Sequence, residues 1–237
     1  MTMLSTLWTT LRYTFAVRGY YAAPLSSFAT RMGCKRSDMF RVSVTEAESA
    51  DGTVTLQEFH AAFLSSPAFR NELQIFSMMG LAGPETTSNG HAIDVASGEK
   101  SSFGPWTAWA VDGSREKAVT AQSDPASACV IMRCYISGKP FCDTWWTVEK
   151  TIDNELPELV FGTAMKAPYD GSKGNFMSSL LVKVLDPFHR LYSRILLASA
   201  KATLLDLHQQ RLAAAKSALK DLHQQSGKQT TTNEKAD

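Results

Sequence analysis

The sequence predicts a single α+β domain, in which an antiparallel sheet is combined with two short helices and a long C-terminal helix. Three observations predict this class. Several stretches alternate apolar and polar residues, as half-buried strands do. Short turn-forming sequences join those stretches, which favours antiparallel neighbours. Near the C-terminus, apolar residues keep the three- and four-residue spacing of a helix over many turns.

The first elements of the domain are a strand and two helices. Residues 39–44 alternate like a strand, and the apolar residues of 56–63 then follow a helical face. Ser66 followed by Pro67 is typical of an N-cap and a first helical position, so a second helix is expected to begin there. The glycines that follow Met79 would end it.

Strands dominate the middle of the chain. Residues 84–104 are expected to form a long loop. After this loop, the pattern predicts strands at 106–111, 114–121, 128–136, 142–151 and 159–165. The Asp112-Gly113 dipeptide between the first two of these strands favours a type I′ hairpin turn. Sequential strands joined by short turns predict a meander.

The closing helix is predicted to begin at Asp186-Pro187, a second pair typical of an N-cap and a first helical position. Its apolar spacing continues to about residue 225. We place the domain at residues 38–205, so residues 206–225 would extend the helix beyond it. Residues 226–237 would form a disordered tail.

Residues 1–37 form a basic segment rich in serine and threonine. Its charged residues are Arg12, Arg18, Arg31, Lys35 and Arg36, and no acidic residue precedes Asp38. Apolar residues recur in it at helical spacing, and this composition is typical of a mitochondrial presequence. The alternative is an N-terminal helix that packs on the domain. We expect a cytoplasmic protein, with a mitochondrial location and cleavage of this segment as the alternative.

The overall composition argues against several classes of protein. The chain of 237 residues is 44% hydrophobic and 20% charged, which is ordinary for a globular protein. Its net charge of +1 gives no reason to expect a nucleic-acid partner. No stretch approaches the roughly 20 apolar residues that are needed to cross a bilayer. We therefore expect a soluble protein, and leave a homodimer open.

Neither a metal nor another cofactor is expected. None of the four cysteines forms a CxxC pair, so a zinc site is not predicted. Cys129 and Cys134 lie in an apolar run, which is typical of buried thiols. Residues 51–59 imitate half of a calcium-binding EF loop, with Glu58 at the bidentate position. Because the first ligand position of that loop falls on Ala47, calcium binding is not predicted.

Three stretches of the chain carry a family resemblance. They are AAFLSSPAFRNELQIF (residues 61–76), ELVFGTAMKA (residues 158–167) and VLDPFHRLYSRILLASA (residues 184–200). Together they resemble an uncharacterised domain family placed in the polyketide-cyclase/START superfamily, whose members are also called SRPBCC or helix-grip proteins. The resemblance implies a curved sheet that grips the C-terminal helix, with an apolar cavity between them. It implies no single activity, because that superfamily includes carriers, cyclases, isomerases and hydrolases.

Aromatic residues on the predicted strands and the closing helix are candidates for lining such a cavity. They are Trp106, Trp109, Tyr135, Trp145, Trp146, Phe161 and Tyr192. On a pleated strand Trp145 shares a face with Asp143, whereas Trp146 lies on the other face. Ordinary core packing is the alternative for each of these residues.

Three polar residues are candidates for catalysis. Arg133 interrupts an apolar strand, where an unpaired charge would be costly, and Asp143 on the next strand is its candidate partner. His189 would lie in the first turn of the closing helix, where the helix dipole would lower its pKa. The neutral imidazole would then act as a general base. A surface salt bridge, a cap or a solvated face is the alternative for each residue.

Two functions follow from these candidates. The first is a cofactor-independent cyclase, isomerase or hydrolase that binds an apolar small molecule, such as a polyketide-like metabolite. The second is a non-catalytic lipid or quinone carrier that uses the same cavity. Convergence of Arg133, Asp143 and His189 on one cavity would favour the enzyme, and their dispersal around an apolar cavity would favour the carrier. A third option is a protein that associates through its basic closing helix.

Overall fold

The structure is a computed structural model of the chain. It describes residues 3–20, 38–45, 48, 53–79, 100–103, 105–112, 128–136, 139–151, 154–165 and 176–233. The predicted strand at 114–121, the glycine of the turn before it and most of the predicted loop at 84–104 lie outside these residues.

The described residues form four helices and seven strands. In chain order they are α1 (Met3–Ala16), β1 (Arg18–Tyr20), β2 (Asp38–Ser43), α2 (Leu56–Ser65), α3 (Pro67–Met78), β3 (Lys100–Phe103), β4 (Trp106–Asp112), β5 (Ala128–Ile136), β6 (Lys139–Thr151), β7 (Asn154–Met165) and α4 (Phe176–Asn233). The predicted α+β class is therefore confirmed. The strand β3 corrects the end of the predicted loop, because its residues pair with β4.

The seven strands form one curved, unclosed sheet in the order β1-β2-β7-β6-β5-β4-β3. Every neighbouring pair is antiparallel. Strands β3 to β7 lie side by side in chain order, so the predicted meander is confirmed. Together with the long closing helix α4, this arrangement is consistent with a helix-grip fold.

Side chains alternate between the two faces of this sheet. One face, which we call the helix face, packs with α2 and α4 into the main core, and Met132, Trp146 and Phe161 lie on it. The other face, which we call the outer face, carries a smaller buried cluster that includes Ile131 and Trp145. The predicted division between Trp145 and Trp146 is confirmed.

An aromatic stack occupies the middle of the helix face. The Phe63 ring of α2 stacks on Trp146 with centroids 4.4 Å apart, and it lies 5.6 Å from Phe161 and 5.2 Å from Phe69. None of these four side chains is more than 1% exposed. Burial of an aromatic side chain of this size contributes about 1.5–3 kcal/mol or more. The stack therefore fixes α2 against β6 and β7.

Side-chain caps set the starts of α2 and α3. Thr55 and Glu58 form a capping box, in which the Glu58 N–H donates to Thr55 Oγ1 and the Thr55 N–H donates to the Glu58 carboxylate. Ser66 caps α3, whose first residue is Pro67, so the predicted start of this helix is confirmed. Glu58 also pairs with Arg211 of α4. The EF-like residue Glu58 thus has a capping role and links α2 to the closing helix.

The closing helix is longer at both ends than the sequence predicts. It begins at Phe176, so the predicted start at Pro187 is wrong and this proline lies inside the helix. At the other end, side chains remain packed as far as His208, and the projecting part begins at Gln209. The helix continues to Asn233, into the predicted disordered tail. Although α4 is long, no helix among the described residues is both long and apolar enough to cross a membrane.

The N-terminal segment contributes a helix and an edge strand to the fold. Helix α1 packs on α4, and β1 pairs with β2. The Tyr13 hydroxyl donates to Glu48 at 2.6 Å, and the Lys201 ammonium lies 2.9 Å from the same carboxylate. Although burial opposes ionisation, hydrogen bonds from the Thr45 N–H, Tyr13 and Lys201 lower the pKa of Glu48 to about 2. The structure therefore has, at this position, a helix that packs on the domain. Mitochondrial targeting by this segment stays a prediction.

Candidate functional site

Arg133 and Asp143 form an ion pair on the outer face of the sheet. They are direct cross-strand partners in β5 and β6. Arg133 Nε donates to Asp143 Oδ1 at 2.7 Å, and Arg133 Nη2 donates to Oδ2 at 3.0 Å. Asp143 is 0% exposed, so this two-bond contact offsets the cost of burying its charge. The predicted pairing is confirmed.

Three of the predicted ligand-binding aromatics surround this pair on the outer face. The Trp109 ring lies under the guanidinium of Arg133, with 5.4 Å between the ring centroid and Arg133 Cζ. Tyr135 also interacts with Arg133. Trp145 belongs to the outer buried cluster, and its indole covers the backbone of Gly162 directly across from it. These aromatics therefore lie on the face of the sheet opposite to the closing helix.

His189 does not join the ion pair. It lies well inside α4, which begins at Phe176, so the predicted proximity to a helix N-terminus is wrong. Helix α4 packs against the helix face, whereas Arg133 and Asp143 lie on the outer face. The three predicted catalytic residues are thus not on one side of the sheet.

A second polar cluster lies on the helix face, where α3 meets α4. The Tyr192 hydroxyl of α4 donates to Glu72 of α3 at 2.9 Å. The backbone N–H of Ala68 donates to the Ser199 hydroxyl at 3.3 Å and holds the two helices together nearby. Burial raises the pKa of Glu72 to about 7, although the hydrogen bond from Tyr192 acts in the opposite direction. Burial and the Glu72 charge also raise the pKa of Tyr192, which therefore keeps its proton.

Two cysteines form a pair on the helix face of the sheet. Cys134 of β5 and Cys142 of β6 are direct cross-strand partners, and both are buried on this face. The interaction between the two thiols lowers the pKa of Cys134 and raises that of Cys142. The negative charge of Glu72 acts in the raising direction on the pKa of both thiols. Phe141 is an extra residue in β6 at this point, and the resulting β-bulge borders the pair.

Trp106 extends this row to the neighbouring strand. It pairs with Cys134 across β4 and β5, and its ring lies 6.0 Å from that of Phe76 on α3. Within the described part of the chain its indole Nε1 is buried and has no hydrogen-bond partner. A buried donor without an acceptor costs about 1–3 kcal/mol. We call Glu72, Trp106, Cys134, Cys142 and Tyr192 together the Glu72 site.

The remaining predicted ligand-binding residues belong to the core. Trp146 and Phe161 contact Phe63 in the aromatic stack. This is the core packing that was the alternative to lining a cavity. Of the seven predicted aromatics, Trp106 and Tyr192 belong to the Glu72 site. Trp146 Nε1 and the Thr163 hydroxyl are further buried polar atoms without a partner among the described residues.

The fold and the site together define an α+β protein, consistent with the helix-grip layout, whose helix face carries a carboxyl group with no cation among its described contacts. Within the described ranges, no group of three or more His, Cys, Asp or Glu side chains is arranged to hold a metal ion. Comparison with protein-family models and with curated proteins gives no match for this chain.

Glu72, Cys134 and Cys142 are site residues that the sequence analysis missed. The available signal for Glu72 is its spacing, because it lies three residues after Phe69 and four before Phe76 on the apolar face of α3. An acid at a core-facing position is unusual and indicates either a buried partner or a function. For Cys142, the available signal is its place on a strand next to the one that carries Cys134.

Proposed function

We propose that the chain binds an apolar small molecule on the helix face, between the sheet, α3 and α4, and that Glu72 transfers a proton to or from it. It would then be a cofactor-independent isomerase, cyclase or hydrolase, for example one acting on a polyketide-like metabolite. The resemblance to the polyketide-cyclase/START superfamily supports this class. The observation that carries the proposal is the state of Glu72, a carboxyl group whose pKa burial raises to about 7.

The chemistry follows from that pKa. A general acid or base works best when its pKa lies near the working pH, because both of its forms are then populated. Glu72 would take a proton from a carbon next to a carbonyl group of the ligand, and the electron pair would move to the carbonyl oxygen. Return of the proton to a different atom would complete an isomerisation. In a ring closure the enolate carbon would first attack a second carbonyl carbon of the ligand, and the proton would return to the oxygen of that carbonyl.

Two neighbouring groups support this role for Glu72. The unpartnered indole N–H of Trp106 is a donor for the ligand oxygen on which negative charge develops. Tyr192, which donates to Glu72 at 2.9 Å, orients the carboxyl group and stabilises its ionised form. Apolar side chains of α3 such as Leu73 and Phe76, which pack against the core, would hold the body of the ligand.

A lipid or quinone carrier is the second candidate, and exposed apolar side chains favour it. Ile75, Met78 and Met79 of α3 are more than half exposed, as are Phe188 and Leu191 of α4. These residues lie on the same two helices as Glu72 and Tyr192. Such side chains are typical of a surface that receives an apolar molecule from a membrane or from another protein. In a carrier, Glu72 would bind the polar end of the cargo without proton transfer.

Native mass spectrometry of the protein purified from its own host tests the proposal, because a retained molecule identifies the ligand class. The Glu72→Gln variant keeps the shape of the side chain but cannot act as a base. We expect it to retain the molecule and to lower turnover by on the order of 10²- to 10⁴-fold. The matched control is Glu149→Gln, which changes a half-exposed carboxylate that pairs with Arg41 away from the site.

The outcomes separate the two candidates. Conversion of the retained molecule by the wild type and the control variant, and not by Glu72→Gln, supports the enzyme. Recovery of the same unchanged molecule from all three proteins supports the carrier. Equal turnover by Glu72→Gln and wild type would exclude proton transfer by Glu72.

A further inference from the structure

We infer that Cys134 and Cys142 are a redox-active pair, which the folded protein converts to an intramolecular disulfide on reaction with a hydroperoxide. The inference rests on the placement of the two cysteines in the sheet. It does not depend on any bound ligand, and so it stands apart from the proposed function.

The pairing of β5 and β6 places the two residues at disulfide distance. Directly opposed residues in an antiparallel pair have Cα atoms about 4.5 or 5.5 Å apart, depending on their hydrogen-bonding position. Both values fall in the range of about 4.4–6.8 Å that disulfides span. Cys134 and Cys142 are directly opposed, and both are free thiols. The strand pairing therefore already holds the two residues within the range that a disulfide spans.

The surroundings of the pair limit which oxidant can reach it. Either sulfur can act as the nucleophile, and the other is then the resolving thiol, because the two residues are directly opposed. Because Cys134 is 2% exposed and Cys142 is 8% exposed, the oxidant must be small. Hydrogen peroxide meets this condition.

The reaction balances as two thiols and one peroxide giving one disulfide and two waters. One of the two cysteines gives up its proton, its thiolate attacks one peroxide oxygen, and the O–O bond breaks. The leaving hydroxide takes up that same proton and becomes water. The sulfur of the other cysteine then attacks the sulfenic acid, the S–S bond forms, and the S–O bond breaks. The departing hydroxide takes the proton of this second thiol and leaves as the second water.

Cys129 provides a matched control on the same strand. It is a buried cysteine like the other two, but it belongs to the cluster on the outer face and pairs with Val111 of β4. It should not form a disulfide with either Cys134 or Cys142, because the sheet separates them.

The experiment exposes the full-length reduced protein to hydrogen peroxide, blocks the remaining thiols with N-ethylmaleimide after unfolding, and maps the peptides by mass spectrometry. We expect two of the four thiols to be lost together. They should be recovered as a peptide pair joined between Cys134 and Cys142. Cys129→Ser should give the same product. Neither Cys142→Ser nor Cys134→Ser should form an intramolecular disulfide under the same conditions, because each lacks one of the two opposed sulfurs.

Several results would overturn the inference. One is a folded wild-type protein that keeps all four thiols while a simple thiol added to the same solution is oxidised. Others are disulfides that join Cys129 or Cys34, or a Cys134–Cys142 link that forms only in urea. The wild-type result alone decides whether Cys134 and Cys142 form a disulfide. The inference is therefore tested even if a serine variant does not fold.

Discussion

Asp143 is a fully buried carboxylic acid and Glu72 a half-buried one, and the two differ in the groups that contact them. Asp143 lies on the outer face and accepts two hydrogen bonds from the guanidinium of Arg133. Glu72 lies on the helix face, and the donor described for it is the neutral hydroxyl of Tyr192. A cation makes the first carboxylate a structural ion pair. Without a cation, the Glu72 carboxyl group is partly protonated at neutral pH, so it can both give and take a proton.

The strongest test of this difference removes the cation from the outer face. Arg133→Met removes the guanidinium that donates two hydrogen bonds to the fully buried Asp143, so the free energy of unfolding should fall by about 3–5 kcal/mol. The double variant Arg133→Met, Asp143→Leu should recover most of that loss, because it removes both charges. Urea denaturation at neutral pH measures both values. A double variant as unstable as the single variant would show that the loss comes from packing.

His60 extends the comparison to a buried base. Its ring stacks on Trp146 at 5.5 Å, and burial lowers its pKa to about 4 from an ordinary value of 6.5. Between pH 4 and pH 6.5, His60 therefore binds a proton more strongly in the unfolded chain than in the folded protein. The stability that depends on a neutral His60 is present above pH 6.5 and is lost as the pH falls toward 4.

His60→Phe keeps an aromatic ring in the stack and removes the titration. Between pH 6.5 and 4 the wild type should lose about 3 kcal/mol more unfolding free energy than the variant does. Paired urea melts at several pH values measure this difference, and effects of other groups cancel between the two proteins. Parallel stability curves would contradict the assigned state of His60.

A substitution at Gly162 tests how tightly the side chains pack on the outer face. A Cβ atom at this position would overlap the indole of Trp145, which covers the glycine from the neighbouring strand. Gly162→Ala should therefore lower the free energy of unfolding by about 1–3 kcal/mol. In a Trp145→Leu background the same substitution should cost much less. An equal cost in both backgrounds would place the strain in the backbone.

The sequence predicts the Arg133–Asp143 ion pair better than the Glu72 site, because the residues of the ion pair are much closer together in the chain. Arg133 and Asp143 lie on strands that follow one another, and strand alternation is enough to place them together. The start of α3 is equally local, because Ser66 and Pro67 define it. Glu72 meets Tyr192 across 120 residues, and no local pattern specifies that contact.

One wrong prediction and one contact that was not predicted have similar causes. Pro187 indicates a helix start on local grounds, but α4 begins at Phe176 and includes the proline. The pairing of Cys134 with Cys142 depends on a bulge at Phe141, and predicted strand limits do not fix such a bulge. Packing with the rest of the molecule decides both features.

The protonation of Glu72 is measured most directly by carbon NMR of a sample labelled at the glutamate side-chain carboxyl. One carboxyl resonance of the wild type should titrate with a midpoint at about pH 7, and it should be missing from Glu72→Gln. Asp143→Asn should leave this midpoint in place, because its ion pair lies on the other face. If no glutamate carboxyl instead titrates above the ordinary value of about 4.3, the pKa of Glu72 is not raised and Glu72 cannot act as the proton-transfer group of this protein.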